Sequence, residues 1–343
     1  MSRRVLLLAV ACALVAASPA SSASSVSSWA LPQIKVVAAH GLMGGKASGF
    51  RADDPLTVSD LADLVAGLTG QEAPMAADPT ATVTIKQLDA QLVRALGLLP
   101  AARQFTAAIR AAGLTPTSSF GTETVARLIG LRFNHPAPQD SLELGPDSVA
   151  TRAEAAYSAA HILSFTGAEA PFVQQLATTF QPAPVAGLQR AVLQTAVSFT
   201  GYPYIWGGTS ELPQDPFATG TQVPGGFDCS GLVWRVYKLQ AYAGAEALPG
   251  VIKGRTTYAM SGEVPRAKRI GLAGLQPGDV LFFGPNGPKS KPGQIDHTGI
   301  YVGSGWFIQS SDEGVALAPL TASWYAKRFA WARRPLAEAG LLP

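Results

Sequence analysis

One thiol stands where it could do chemistry. Of the two cysteines in the chain, Cys12 lies within an apolar N-terminal run, and Cys229 lies alone in Gly226-Phe227-Asp228-Cys229-Ser230-Gly231. A single thiol in an exported protein has no intramolecular disulfide partner, so its presence asks for another reason. Leu232, Val233, Val236 and Tyr237 follow it at helical spacing, which predicts a helix that begins at the cysteine. A helix N-terminus favours the thiolate, the nucleophilic form.

A thiol nucleophile needs a base that takes its proton and returns it to the leaving amine. The chain has four histidines, His40, His135, His161 and His297, and only His297 falls in the same C-terminal region as Cys229. A third group should orient the ring. His297 to Val302 and Trp306 to Ser310 read as two strands joined through Gly303-Ser304-Gly305. A three-residue loop sets Gln309 opposite Gly299, two positions from His297 and on its face. The Gln309 amide oxygen can then accept from an imidazole N–H, with Gly299 leaving it room. Asp296 is the other candidate, but adjacent strand residues point to opposite faces.

The elements that must hold these groups fall in two regions. Up to about residue 170 the chain is helical and repetitive. The helix Pro32 to His40, the loop Phe50 to Leu56 and the helix Thr57 to Val65 are echoed by Val83 to Leu98, Thr122 to Leu131, Ser141 to Pro146 and a helix opening at Thr151. A recurring helix–loop–helix unit predicts a stacked repeat module over 24–170. Residues 171–185, with prolines late in the stretch, read as a linker. A helix from Ala186 to Phe199 opens the second region, 186–340, where glycines, aromatics and short strands dominate, among them Val280 to Phe283.

The formal charge is only +3, and no Lys/Arg block interleaves with aromatics, which argues against nucleic acid as a partner. Ser2-Arg3-Arg4, the apolar run Val5 to Ala17 and the small residues after it predict a secretory signal peptide over 1–23. Arg3-Arg4 also fits a twin-arginine signal. Cys12 lacks the leucine three residues before it that a lipid anchor would need; Ala9 stands there. No other segment is long and apolar enough to span a membrane. No His/Cys/Asp cluster has metal-ligand spacing, so neither metal nor cofactor is expected.

Thr151-Arg152-Ala153-Glu154 at a helix start, within the repeats over 29–165, resembles surface-layer homology modules. The resemblance implies binding to secondary cell-wall polysaccharide, with Arg152 as the contact carried over and Lys86 as a second. The first copy has Val58-Ser59-Asp60 at this place and the second has Ile85-Lys86-Gln87.

Residues 190–335 resemble the NlpC-type cell-wall cysteine peptidases. The likeness rests on Tyr204-Ile205-Trp206-Gly207-Gly208, Phe227-Asp228-Cys229-Ser230-Gly231, Pro277-Gly278-Asp279-Val280, His297 to Gly303 and the Gln309 strand. It implies an α+β fold, with a papain-like core of helices on a small antiparallel sheet, preceded here by the all-α repeats. It also implies Cys229 as nucleophile, His297 as base, Tyr204 as a hydroxyl near the thiol, the Cys229 N–H as part of an oxyanion site, and Asp228 and Ser230 as contacts to the free amine of a stem peptide. The third catalytic position is usually histidine in that family, and here it is Gln309. Segments 209–225 and 285–294 look like insertions flanking the groove, with Lys289 and Lys291 in the second.

The expected protein is therefore a secreted, wall-anchored hydrolase of peptidoglycan stem peptides, cutting between D-isoglutamate and a diamino acid through a thioester. A wall-binding protein with an inactive peptidase domain, and an amidase or transpeptidase on the same fold, are the alternatives.

Overall fold

The computed structural model describes residues 28–342 apart from 45, 74 and 76; the expected signal peptide and Cys12 lie outside the described residues.

The N-terminal half is helical: α1 (Leu31–Ala39), α2 (Val58–Thr69), α3 (Ile85–Ala95), α4 (Leu99–Ala111), α5 (Phe120–Leu128) and α6 (Arg152–Leu163). Three of these helices start alike. Thr57, Thr84 and Thr151 stand at the N-caps of α2, α3 and α6; Thr57 and Thr151 accept from the backbone N–H three residues on, and Gln87 returns to the Thr84 N–H. The segments entering these caps join one another in a closed ring of backbone hydrogen bonds. Leu56 N–H donates to Ala150 O, Ala150 N–H to Val83 O and Val83 N–H to Leu56 O, at 2.8, 2.8 and 2.9 Å. Leu56, Val83 and Ala150 are buried at its centre. The three copies thus close around a common axis.

Helix α7 (Glu169–Thr179) occupies much of the stretch expected to be a linker. The prolines Pro182 and Pro184 come after its last residue and leave it intact. Its Val173 and Ala177 are buried, and Phe180 beyond it packs between Phe105 of α4 and Trp306, with ring centroids 5.5 and 5.4 Å apart. Helix α8 (Gly187–Ser198) follows, and its Gln194 exchanges two hydrogen bonds with the backbone of Thr115, 2.7 and 2.8 Å. One continuous apolar core runs through both halves.

The C-terminal half opens with the short pair β1 (Thr209–Ser210) and β2 (Gly226–Phe227) and the helix α9 (Cys229–Trp234), which runs on as a wider turn through Leu239. Helix α10 (Thr257–Gly262) and the strands β3 (Val280–Phe283), β4 (His297–Gly303), β5 (Trp306–Ser311) and β6 (Gly314–Pro319) come next, then α11 (Ser323–Arg328), β7 (Phe329–Arg333) and α12 (Pro335–Glu338). The sheet is antiparallel throughout, in the order β6-β5-β4-β3-β7. Helix α9 packs on β4 and β5 through buried Leu232 and Val233. This is the α+β, papain-like arrangement of helix on small sheet. Among the described residues no helix is long and apolar enough to cross a membrane.

Register at the β4–β5 hairpin decides which side chains meet. The turn is two residues, Ser304-Gly305, both with positive φ (51° and 76°), and a bulge between Tyr301 and Gly303 takes up the remaining residue. Gly299 therefore pairs with Gln309, as a three-residue loop would also give. A Cβ on Gly299 would meet the Phe307 ring at 2.6 Å and Ile308 O at 2.8 Å, so the glycine makes room for those groups and not for Gln309.

Candidate active site

Asp228 builds the start of α9. Its backbone is extended (φ −81°, ψ 173°) and its carboxylate accepts from Gly231 N–H at 2.5 Å, a capping bond that places Cys229 at the first helical position. The N–H of that position has no partner within its own helix. Gly231 is required by close approach: a Cβ there would lie 1.8 Å from Gly208 O. The Thr298 and Ser230 backbone N–H groups pull the thiol's pKa down, and α9 packs on β4, the strand that begins at His297.

His297 projects from the first position of β4, and its Nε2 is hydrogen-bonded to Gln309 Oε1. The Gln309 amide nitrogen donates in turn to the hydroxyls of Tyr325 and Ser311. The ring is held among Phe283, Trp324 and Tyr325, at centroid distances of 5.7, 5.7 and 6.0 Å. Asp296 pairs with Arg328 and makes no hydrogen bond to the ring.

Electrostatics favour the neutral form of both Cys229 and His297. Burial, and then the Asp228 charge, push the Cys229 thiol up to about 12 against the pull of the two N–H groups and Arg255. Burial draws the His297 imidazole down to about 4, against the bond from Gln309. The helix start alone favours a thiolate; burial under β4 outweighs it. Burial, followed by the neighbouring Cys229 and Asp228, also raises the Tyr204 hydroxyl, which therefore keeps its proton.

Two clefts meet over the sulfur. One, about 480 Å³, is lined by Tyr204, Cys229, His297, Asp312, Glu313 and Trp324. The other, about 330 Å³, is lined by Trp206, Phe217, Ser230, Arg255 and Tyr258, and shares Tyr204, Cys229 and Asp296 with the first. Together they form a groove across the thiol. A more apolar cleft of about 320 Å³ between α2 and α3, lined by Val58, Leu61, Val65 and Val83, carries no titratable side chain.

Asp228 and Ser230 lie on the groove floor, but both are engaged by Arg255. Its guanidinium reaches Asp228 Oδ1 and Oδ2 at 3.1 and 3.0 Å and Ser230 Oγ at 2.7 Å. Sequence reasoning missed Arg255; it sits 27 residues from its partner with no local pattern to mark it. The first insertion walls the groove through Pro216 and Phe217. The second does not: it packs on α10, α11 and β7, and Lys289 and Lys291 are exposed away from the groove.

Arg152 is not part of this groove and does not face solvent. In the repeat module it donates to Phe50 O and Met43 O (both 3.1 Å), pairs with Asp60 and lies over the Phe50 ring at 4.9 Å. These inward bonds account for its guanidinium, which departs from the outward polymer contact expected of it. Lys86 pairs with Asp147.

Two segments of the chain match known families. The NlpC/P60 family matches residues 201–334. Residues 201–334 are an NlpC/P60 domain. The S-layer homology domain matches residues 23–57, which hold α1 and the loop leading to α2 and not the copy with the fullest signature. The Bacillus subtilis (strain 168) protein named gamma-D-glutamyl-L-lysine dipeptidyl-peptidase is 30% identical over 159 residues, 44% of this chain and 43% of that protein. The Escherichia coli K12 protein named murein DD-endopeptidase MepH is 34% identical over 136 residues, 39% of this chain and 41% of that one. A crystal structure of an NlpC/P60 family protein from Bacillus cereus ATCC 10987 is 28% identical with a TM-score of 0.33, over 45% of this chain and 41% of that one. The match spans less than half the length of these curated relatives. Each of these three alignments covers less than half of this chain.

Proposed function

We propose that the protein is a wall-anchored peptidoglycan endopeptidase using Cys229 as nucleophile and His297 as base. The observation that carries this is one groove in which the thiol at a helix start meets an imidazole whose far nitrogen is bound to Gln309. With its proton on Nε2, the ring offers Nδ1 as the base. Nδ1 takes the thiol proton as Sγ attacks the peptide carbonyl carbon. The Cys229 N–H faces the oxygen that gains charge, and the neutral Tyr204 hydroxyl borders the same space. The C–N bond breaks, and the imidazolium gives its proton to the leaving amine. Water, deprotonated by the same nitrogen, then cleaves the thioester and restores the thiol.

The substrate reading is a stem peptide cut between D-isoglutamate and a diamino acid. The name of the Bacillus subtilis relative supports that bond, while the name of the Escherichia coli relative points to another. Asp312 and Glu313 on one flank of the groove suit the free amine of a diamino acid. On the other flank Asp228, Ser230 and Arg255 form a polar floor for the amino-terminal part of the peptide. The S-layer homology segment supports retention at the cell surface on a wall polymer.

The test is digestion of purified peptidoglycan by the mature protein and its Cys229→Ala variant, with products identified by mass spectrometry. Fragments ending at D-isoglutamate, made by the parent alone, support the proposal. Released intact stem peptides would assign an amidase, and no turnover by either protein would reject the enzyme.

A further inference from the structure

The hydrogen bonds behind Gln309 continue past it, and their directions can be followed. An amide can present either its oxygen or its nitrogen to an imidazole, and the choice sets which ring nitrogen carries the proton. Gln309 stands beside two hydroxyls, Ser311 and Tyr325. Hydroxyls both donate and accept, so alone they leave the amide free to face either way. Glu313 removes that freedom. Its carboxylate accepts from Ser311 Oγ at 2.6 Å, and a carboxylate only accepts. The Ser311 proton is thereby committed, its oxygen is left to accept, and the Gln309 NH2 must point to it (3.3 Å). The amide oxygen then faces His297, and the ring keeps its proton on Nε2.

The far end of the chain is tied to the other half of the molecule. Arg127 of α5 donates to the Glu313 backbone carbonyl and to Gly201 O. The turn is pressed so closely there that a Cβ on Gly314 (φ +74°) would lie 2.4 Å from Tyr202 O and 2.5 Å from Arg127 Nη1. Arg127 is itself buried beside Glu123, 3.6 Å away.

We infer that Ser311 and Glu313 are positioning residues that set the tautomer of His297 through Gln309, in a turn held by the N-terminal helical half. The inference rests on His297 acting as the base. It gives the repeat half a part in the active site besides attachment to a wall.

The experiment is a double-mutant comparison in the full chain. Ser311→Ala is expected to lower kcat about fivefold to tenfold with KM unchanged, the effect of one misdirected hydrogen bond, and Ser311→Thr, which keeps the hydroxyl, to restore it. Glu at position 309 has two equivalent oxygens and no wrong orientation, so on the Gln309→Glu background Ser311→Ala should cost less than about twofold. Equal losses on both backgrounds would overturn the inference, since a merely structural serine acts whatever stands at 309. So would no loss on either. Nitrogen-15 spectra of the His297 ring give a readout that needs no turnover: a protonated Nε2 in the parent and a tautomer mixture in Ser311→Ala support the inference, and one unchanged tautomer in both overturns it. If Cys229→Ala keeps full activity, the nucleophile assignment fails, while the ring spectra still decide the role of Ser311.

Discussion

Arg255 grips Asp228 with both terminal nitrogens, at 3.1 and 3.0 Å, one residue before the thiol. The same carboxylate caps α9 and accepts from Gly207 N–H (3.0 Å) and Ser230 Oγ (2.9 Å). The negative charge nearest the sulfur is thus held in place and partly neutralised by one guanidinium that the sequence did not single out. Replacing Arg255 by Met leaves Asp228 facing the sulfur with its charge unpaired. The thiol should rise further, the stability fall by about 1–3 kcal/mol, and turnover drop by at least about tenfold. Lys should recover part of the stability and little of the activity, because it cannot span both carboxylate oxygens. Denaturant unfolding and turnover measured on the two variants check this; wild-type turnover by Arg255→Met would remove the guanidinium from the site.

Neutral resting groups predict a distinctive pattern of thiol reactivity. Burial pushes the thiol up to about 12 and the imidazole down to about 4, and both shifts disfavour a thiolate–imidazolium pair at neutral pH. Alkylation of Cys229 by iodoacetamide should be slow from pH 5 to 8 and rise only in the alkaline range. A rate plateau at acidic pH, the mark of a preformed ion pair, would contradict the burial argument.

The buried imidazole also predicts how stability follows pH. Its folded value lies below the ordinary 6.5, so between 6.5 and about 4 the unfolded chain binds a proton that the folded chain refuses. The contribution of His297 is complete above pH 6.5 and is lost as pH falls toward 4. His297→Gln removes this titration, so the difference in urea midpoint between parent and variant should shift in the variant's favour from pH 7 to pH 4.5. A difference that stays constant over that window would show that the ring protonates without cost.

How much of this could be read from the chain depended on range. The Gly299–Gln309 pairing was legible, because strand alternation and a short turn determine it locally; the bulge and the two-residue turn behind it were not, yet they sum to the same register. Cys229 at a helix start was legible from Leu232, Val233, Val236 and Tyr237. The direction of its pKa was not, since the dipole is local while burial comes from a strand some 70 residues on. Arg255 escaped for the same reason. The repeats were visible as copies, but their closure into a ring depends on hydrogen bonds among Leu56, Val83 and Ala150, far apart in sequence. Helix α7 was misread because Pro182 and Pro184 stand just beyond it.

Gln309 gives the sharpest prediction for the proposed chemistry. Gln309→Ala removes the acceptor of the ring proton and should reduce turnover on the order of a hundredfold. Gln309→His restores an acceptor at the position and should keep much of the activity. Kinetics on peptidoglycan fragments compare the three, and equal activity in all would take residue 309 out of the mechanism.

Arg152 makes the last prediction, and it separates anchoring from folding. As the arginine of the repeat signature it was expected to contact wall polymer, yet its guanidinium ties α6 to the loop at Met43 and Phe50 and to Asp60 of α2. Removing it leaves a partly buried Asp60 without its cation and two carbonyls without a donor. Arg152→Met should therefore destabilise the chain by about 3 kcal/mol. Because one core runs through both halves, that loss should appear in the unfolding of the whole chain and not of the repeats alone. Binding to wall retaining its secondary polymer, measured by co-sedimentation at a temperature where the variant is still folded, should then stay within about twofold of the parent. A variant of unchanged stability that no longer sediments with the wall would return Arg152 to the binding surface.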